Sequence, residues 1–148
     1  MIRTIIFDWK RTLYDPDKKS LMSGAVNILS ILQKKNISLI LIGKGGKDMY
    51  DEVERLDVKK FFSMIVFKEG PKDLSIYKPY ITKNPRETVF VGDRIRSELA
   101  AGNKLRAVTI WLKQGKFAEE GPLDESQKST FIVTTIEELE KLLLLKIN

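Results

Sequence analysis

The sequence predicts an α/β protein: a three-layer α/β/α sandwich built on a doubly wound parallel sheet. Two observations carry that prediction. Short branched apolar runs alternate with segments of helical periodicity along the whole chain, as strand–helix–strand units require. Two of the runs also stop abruptly on an acid, Ile2–Phe7 before Asp8 and Thr88–Val91 before Gly92-Asp93. In an open parallel sheet the carboxyl ends of the strands are where ligands bind.

Taken in order, Ile2–Phe7 is a buried strand, and residues 9–19, with Asp15-Pro16-Asp17, read as a loop. Leu21, Ala25, Ile28, Leu29 and Leu32 fall at helical spacing and predict a helix from about Ser20 to Lys35. Ile37–Ile42 is a second strand, broken by Gly43-Lys44-Gly45-Gly46, and a short helix follows to about Leu56. Ser63–Phe67 is a third strand and Lys72–Ile81 a further helix, with a turn at Asn84-Pro85. Thr88–Val91 leads into a helix over Ile95–Leu105, and Val108–Leu112 is the fifth strand. Residues 113–130 read as a long polar loop, Phe131–Thr134 as a last strand, and Thr135-Ile136-Glu137-Glu138 as a capping box opening the final helix.

Composition removes whole classes of chemistry. The 148 residues fit one domain, and 43% hydrophobic with 31% charged supports a packed core. There is no cysteine and no histidine, which excludes disulfides, zinc-thiolate and His-ligated metals, and Ser-His-Asp catalysis. A nucleophile must be a carboxylate, hydroxyl or amine. No apolar run reaches membrane-spanning length and the start carries no signal-peptide pattern, so the expectation is a cytoplasmic protein without membrane contact.

The net charge is +6, and the stretch from Lys10 to Lys47 carries all of it, with eight basic residues against Asp15 and Asp17. Such a field attracts phosphate esters or nucleic acid, although a solvated lysine surface has the same composition. Two acids delivered to one sheet end repel unless a cation lies between them, and oxygen-only ligation suits magnesium. Gly43-Lys44-Gly45-Gly46-Lys47-Asp48 is not a nucleotide-binding P-loop, because Leu41 stands where the first glycine is needed and Asp48 where the hydroxyl is needed.

These residues together resemble the haloacid dehalogenase-like (HAD) hydrolases from Ile2 to about Phe117. The family reads Asp-x-Asp-x-Thr after its first strand, matched here by Asp8-Trp9-Lys10-Arg11-Thr12. It ends a second strand in Ser or Thr, where this chain has Gly43, and places a lysine at a helix start, for which Lys72 is the candidate and Lys68 the alternative. Its fourth motif is matched by Gly92-Asp93 and Glu98. The resemblance implies a Rossmann-like fold and a magnesium-dependent phosphohydrolase. Asp8 would be the nucleophile that forms an aspartyl-phosphate. Asp8, the Lys10 carbonyl and Asp93 would hold Mg2+, Glu98 would bind it indirectly or pair with Lys72, and Lys72 would bind the phosphoryl group. Thr12 is expected to support the turn by a side-chain hydrogen bond. Lys44, with the backbone N–H groups of residues 44–46, is expected to replace the phosphate contact that Gly43 lacks.

The departure that matters most is Lys10, where the family has its acid–base aspartate. An ammonium with a reference pKa near ~10.4 donates a proton at neutral pH but is a poor base. Turnover is therefore expected to be slow, and the phosphoenzyme could be long-lived. The alternative is a catalytically impaired relative that binds a phosphorylated partner or nucleic acid. Only 34 residues lie between Asp8 and Gly43, which predicts a single domain over 1–148 with no separate cap. An uncapped site suits a large phosphorylated substrate, or one covered by a neighbouring subunit.

Overall fold

In a computed structural model describing residues 1–147, the two central strands of the main sheet are buried along their whole length and the edge strands only in part. The chain runs β1 (Thr4–Phe7), β2 (Tyr14–Asp15), β3 (Ser20–Leu21), α1 (Ala25–Lys34), β4 (Ser38–Lys44) and α2 (Lys47–Arg55). It continues through β5 (Met64–Lys68), β6 (Thr88–Gly92), α3 (Glu98–Lys104), β7 (Val108–Leu112), β8 (Phe131–Val133) and α4 (Ile136–Ile147). The main sheet is parallel throughout in the order β5-β4-β1-β6-β7-β8. Successive side chains of a strand point to opposite faces, and both faces are covered. Ile5, Phe7, Leu39, Leu41, Val89 and Val91 pack against α1, α2 and α4. Ile6, Ile40, Ile42, Phe90 and Trp111 pack on the other side with Tyr77 and Leu99 of α3. This is the predicted doubly wound sandwich.

The winding reverses between β1 and β6: from β1 the chain moves outward to β4 and β5, and from β6 outward to β7 and β8. A crevice opens at the carboxyl ends where such a reversal occurs. The registers Phe7↔Val91 and Thr4↔Thr88 bring the two strands to the same level, so Asp8 and Asp93 leave the sheet side by side at that crevice.

Four elements differ from the sequence reading. The loop 9–19 contains one arm of a tight antiparallel hairpin, β2 and β3, in which Tyr14 faces Leu21. Its turn is held by the Asp15 carboxylate, which accepts from the N–H of Asp17 at 2.9 Å. The first helix starts at Ala25 rather than Ser20, because residues 20–21 are taken into this hairpin. Gly43 does not break β4, which continues through it to Lys44. The helix expected over 72–81 is two separate 3-10 turns, Leu74–Ile76 and Lys78–Tyr80. Pro71 precedes them and Pro79 supplies no N–H, so an α-helix cannot propagate there.

The final helix is capped as expected in part. Thr135 Oγ1 accepts from the N–H of Glu138 at 3.1 Å, but the Glu138 carboxylate reaches back to Thr134 instead of Thr135. Among the described residues no helix is long and apolar enough to cross a membrane.

Candidate active site

Asp8 follows β1 directly, and its N–H donates to Val91 O at 3.0 Å, tying it to β6. Asp93 follows β6, and its own carbonyl accepts from Trp111 Nε1 at 2.9 Å. Glu98 opens α3, and Gly92 allows its close approach: a Cβ on Gly92 would lie 2.6 Å from Glu98 Oε1. Oxygens of Asp8, Asp93 and Glu98 all fall within 4.8 Å of one another. Glu98 therefore faces the acids from inside, buried, and not the solvent.

Lys72 Nζ donates to Asp8 Oδ1 at 3.3 Å, and the two side chains are only 7% and 10% exposed. Burial works against the ammonium, yet the Asp8 carboxylate holds its pKa above the ordinary lysine value. The remaining acids lack such a partner. Burial, then the neighbouring Asp8 charge, pushes the Asp93 carboxyl up to about 7. Burial and Asp8 raise Glu98 in the same direction. Asp93 Oδ2 and Glu98 Oε1 are buried without a hydrogen-bond partner. Native structures rarely leave buried oxygens so. An all-oxygen set with orphaned carboxylate atoms fits a hard divalent cation such as Mg2+.

The residues named from sequence separate into two groups. Asp8, Lys10, Lys44, Lys72, Asp93 and Glu98 line one cavity of about 490 Å³. Thr12 and Gly43 do not line it. Thr12 is fully buried and its hydroxyl has no partner, so the expected turn hydrogen bond is absent. Gly43 is buried beneath the site, where an added Cβ would lie 2.8 Å from both Phe67 Cε1 and Trp9 Cβ. Trp9 lies there stacked on Tyr14 at 5.0 Å and edge-on to Phe67 at 6.2 Å. The N–H groups expected to replace the missing hydroxyl are already used: Gly45 N donates to Lys68 O and Gly46 N to Asp48 Oδ1. Of that loop, the Lys44 side chain alone reaches the cavity. Lys72 does so from an irregular segment and not from a helix start, and Lys68 does not line the cavity.

Sequence reasoning missed Arg11, Arg94, Lys116 and Phe117, which complete the wall. Lys116 and Phe117 belong to a 3-10 turn, Gly115–Phe117, just beyond β7. A lone aromatic beside a lysine at the carboxyl end of a predicted strand was the available signal.

Comparison with known proteins agrees with this geometry. The sequence model of the HAD-hydrolase-like family matches residues 41–139, an interval that takes in Lys72, Asp93 and Glu98 and begins after Asp8. A glyceraldehyde 3-phosphate phosphatase of Pyrococcus furiosus is 25% identical over 128 residues, covering 81% of this chain and 53% of that protein. A second, from Methanopyrus kandleri, is 24% identical over 100 residues, covering 61% of this chain and 42% of its own length. The chain thus spans about half the length of these curated relatives. Among solved structures, YfnB of Bacillus subtilis, assigned as a HAD-hydrolase and bound to magnesium, superposes with a TM-score of 0.78. It is 14% identical, over 96% of this chain and 98% of that one, a likeness of fold. With its matched interval running across most of the sheet and two of the three clustered acids, the chain belongs to the HAD-hydrolase-like family.

Proposed function

We propose that the protein is a magnesium-dependent phosphohydrolase that works through an aspartyl-phosphate on Asp8. The observation that carries this reading is the buried meeting of Asp8, Asp93 and Glu98 beside Lys72, with two carboxylate oxygens left unpartnered. The phosphatase names of the two curated relatives support the same reaction class.

In this reading Asp8, Asp93 and the Lys10 carbonyl would hold Mg2+, with Glu98 binding indirectly. The ion would supply neutralisation of the charge that gathers on the phosphoryl oxygens. Lys72 orients the Asp8 carboxylate through their hydrogen bond, and its ammonium offers donors to a phosphoryl oxygen. An oxygen of Asp8 forms a bond to phosphorus as the bond to the ester oxygen breaks. The leaving oxygen takes a proton from the Lys10 ammonium. Water then attacks phosphorus and Asp8 leaves as a carboxylate. That second step needs a base, and the amine left at Lys10 serves only until solvent protonates it again. Slow dephosphorylation follows, with a rate deficit of order 10²–10⁴ against an acid–base carboxylate.

The test is hydrolysis of a generic aryl phosphate with and without magnesium, beside Asp8→Asn. Magnesium-dependent turnover, abolished in Asp8→Asn, is the expected result; turnover surviving that change refutes the assignment. A second reading, a catalytically impaired protein that binds a phosphorylated or nucleic-acid partner, draws on the six cationic side chains that face three carboxylates in the cavity. It predicts salt-sensitive binding without turnover.

A further inference from the structure

Four cations of the cavity wall have no ion pair among the described residues: Lys10, Arg11, Lys44 and Lys116. Lys72 is taken by Asp8, and Arg94 by Glu120 at 3.0 Å. In the reading above, a divalent ion and Lys72 together balance the three carboxylates. A phosphoryl dianion then balances two of the four free cations. Two positive charges remain in the same cavity with nothing to face.

Those two are identified by where the wall is built at a cost. Arg11 has a left-handed backbone, φ +64°, a region that L residues avoid. Asn36, Asp57 and Arg106 share that conformation just past the ends of α1, α2 and α3, where it closes a helix, and Lys19 has it in the turn of the β2–β3 hairpin. Arg11 closes neither a helix nor that hairpin. Its guanidinium lies over the Phe117 ring, 5.4 Å from the centroid. Lys116 lies over the same ring at 5.4 Å and Arg94 at 4.1 Å. Arg94 is balanced by Glu120, but Arg11 and Lys116 on the same ring repel each other, and the attraction of the ring for each is modest. An anion among them removes the conflict.

The position also suits a substrate that continues past the phosphoryl group. Arg11 and Lys116 line both the 490 Å³ cavity and a neighbouring one of about 350 Å³. The far side of the second cavity is acidic, with Asp15 and Asp17, so an anion is held at the divide and not deeper.

We propose that Arg11 and Lys116, gathered on Phe117 with Arg94, form a subsite for a second anionic group, and that the substrates are phosphate monoesters carrying one. This rests on the phosphohydrolase reading for its chemistry, but the subsite itself is a binding property. The second group is a phosphate or a carboxylate, since guanidinium and ammonium groups take both.

The test is calorimetric binding at fixed excess magnesium, using propylphosphonate, propane-1,3-diphosphonate and 3-phosphonopropionate as probes that cannot be hydrolysed. Wild type is expected to bind a doubly anionic probe at least about tenfold more tightly than propylphosphonate. The preferred one of the two distinguishes phosphate from carboxylate. Arg11→Gln and Lys116→Gln are each expected to reduce that preference by about tenfold; Arg11→Gly, which relieves the left-handed backbone and so cannot fail through it, should do the same. No preference in wild type, or a preference unchanged in all three variants, overturns the proposal. Preference with no turnover of any ester leaves the subsite standing and removes the phosphatase reading; turnover with no preference does the reverse.

Discussion

Glu52, beside the β2–β3 hairpin, and the acids at the carboxyl end of the main sheet have opposite electrostatics. Glu52 of α2 is saturated. It accepts from Tyr14 Oη at 2.6 Å and from Arg55 at 2.7 and 2.8 Å, while Arg55 also caps the hairpin through Lys19 O. Its carboxyl is held down at about 2, first by the Arg55 hydrogen bond and then by Tyr14. Asp93 and Glu98 are instead buried against Asp8 with orphaned oxygens, and their carboxyls are pushed up. The chain thus has the means to satisfy a carboxylate and does so where the carboxylate only clamps a hairpin to a helix. Where three acids meet at the switch of the sheet it leaves them short of partners. That contrast separates a fixed joint from a candidate functional site.

The largest break in the comparison comes from Asp93→Asn. On the proposed reading, in which Asp93 would hold the metal, turnover of an aryl phosphate should fall on the order of 10³-fold. The metal-free protein should meanwhile melt higher at pH 8, because one buried, unpaired charge is gone. A lower melting point would show that Asp93 is structurally paired.

Next in size is Lys10→Asp, which restores an acid–base carboxylate and should raise turnover by about 10²-fold in the presence of magnesium. Burst amplitude sharpens this measurement. The present chain should release one aryl equivalent quickly and then slow, and the burst should shrink in the variant.

A third difference lies in pH. For Asp93 the folded state holds its proton more tightly than the unfolded chain does. Stability of the metal-free protein should therefore fall as pH rises from about 4 through about 7, and level off above. Magnesium should recover the loss at pH 8, read as a concentration-dependent rise in melting temperature. Glu52 has the reverse sign: its contribution is present above the ordinary carboxylate range and is lost as pH falls toward 2. A melting point flat between pH 5 and 8 without magnesium would remove the contrast.

The smallest effect is Tyr14→Phe. It takes one hydrogen bond from a saturated carboxylate and should cost about 1 kcal/mol in chemical denaturation, with little change in magnesium affinity.

Much of this was legible in the amino-acid order. The runs at β1, β6 and β7 are continuous apolar strands buried on both faces, and such runs have few other readings. Asp8 and Asp93 were found because they interrupt those runs. Glu98 resembled any helix carboxylate, since nothing in its neighbours states that Gly92 leaves room for it to turn inward. The hairpin escaped because strands of two residues have no periodicity to detect. The 72–81 segment has helical spacing of apolar residues, and Pro79 within it and Pro71 just before it outweighed that spacing. Arg11, Lys116 and Phe117 were invisible for another reason: their meeting depends on a turn after β7 folding back over the loop after β1, a contact between positions over a hundred residues apart.

Gly43 limits how the chain can be re-engineered. No side chain, a hydroxyl-bearing one included, fits at that place without movement of its surroundings. Phe67 could be shortened to admit it, but the obstructing Trp9 Cβ belongs to every residue type except glycine. The backbone itself would have to give, at about 1–3 kcal/mol. The aromatic stack of Trp9, Tyr14 and Phe67 therefore acts as a wedge that closes position 43 to substitution, whereas Lys10 faces the cavity and can be exchanged without repacking the core.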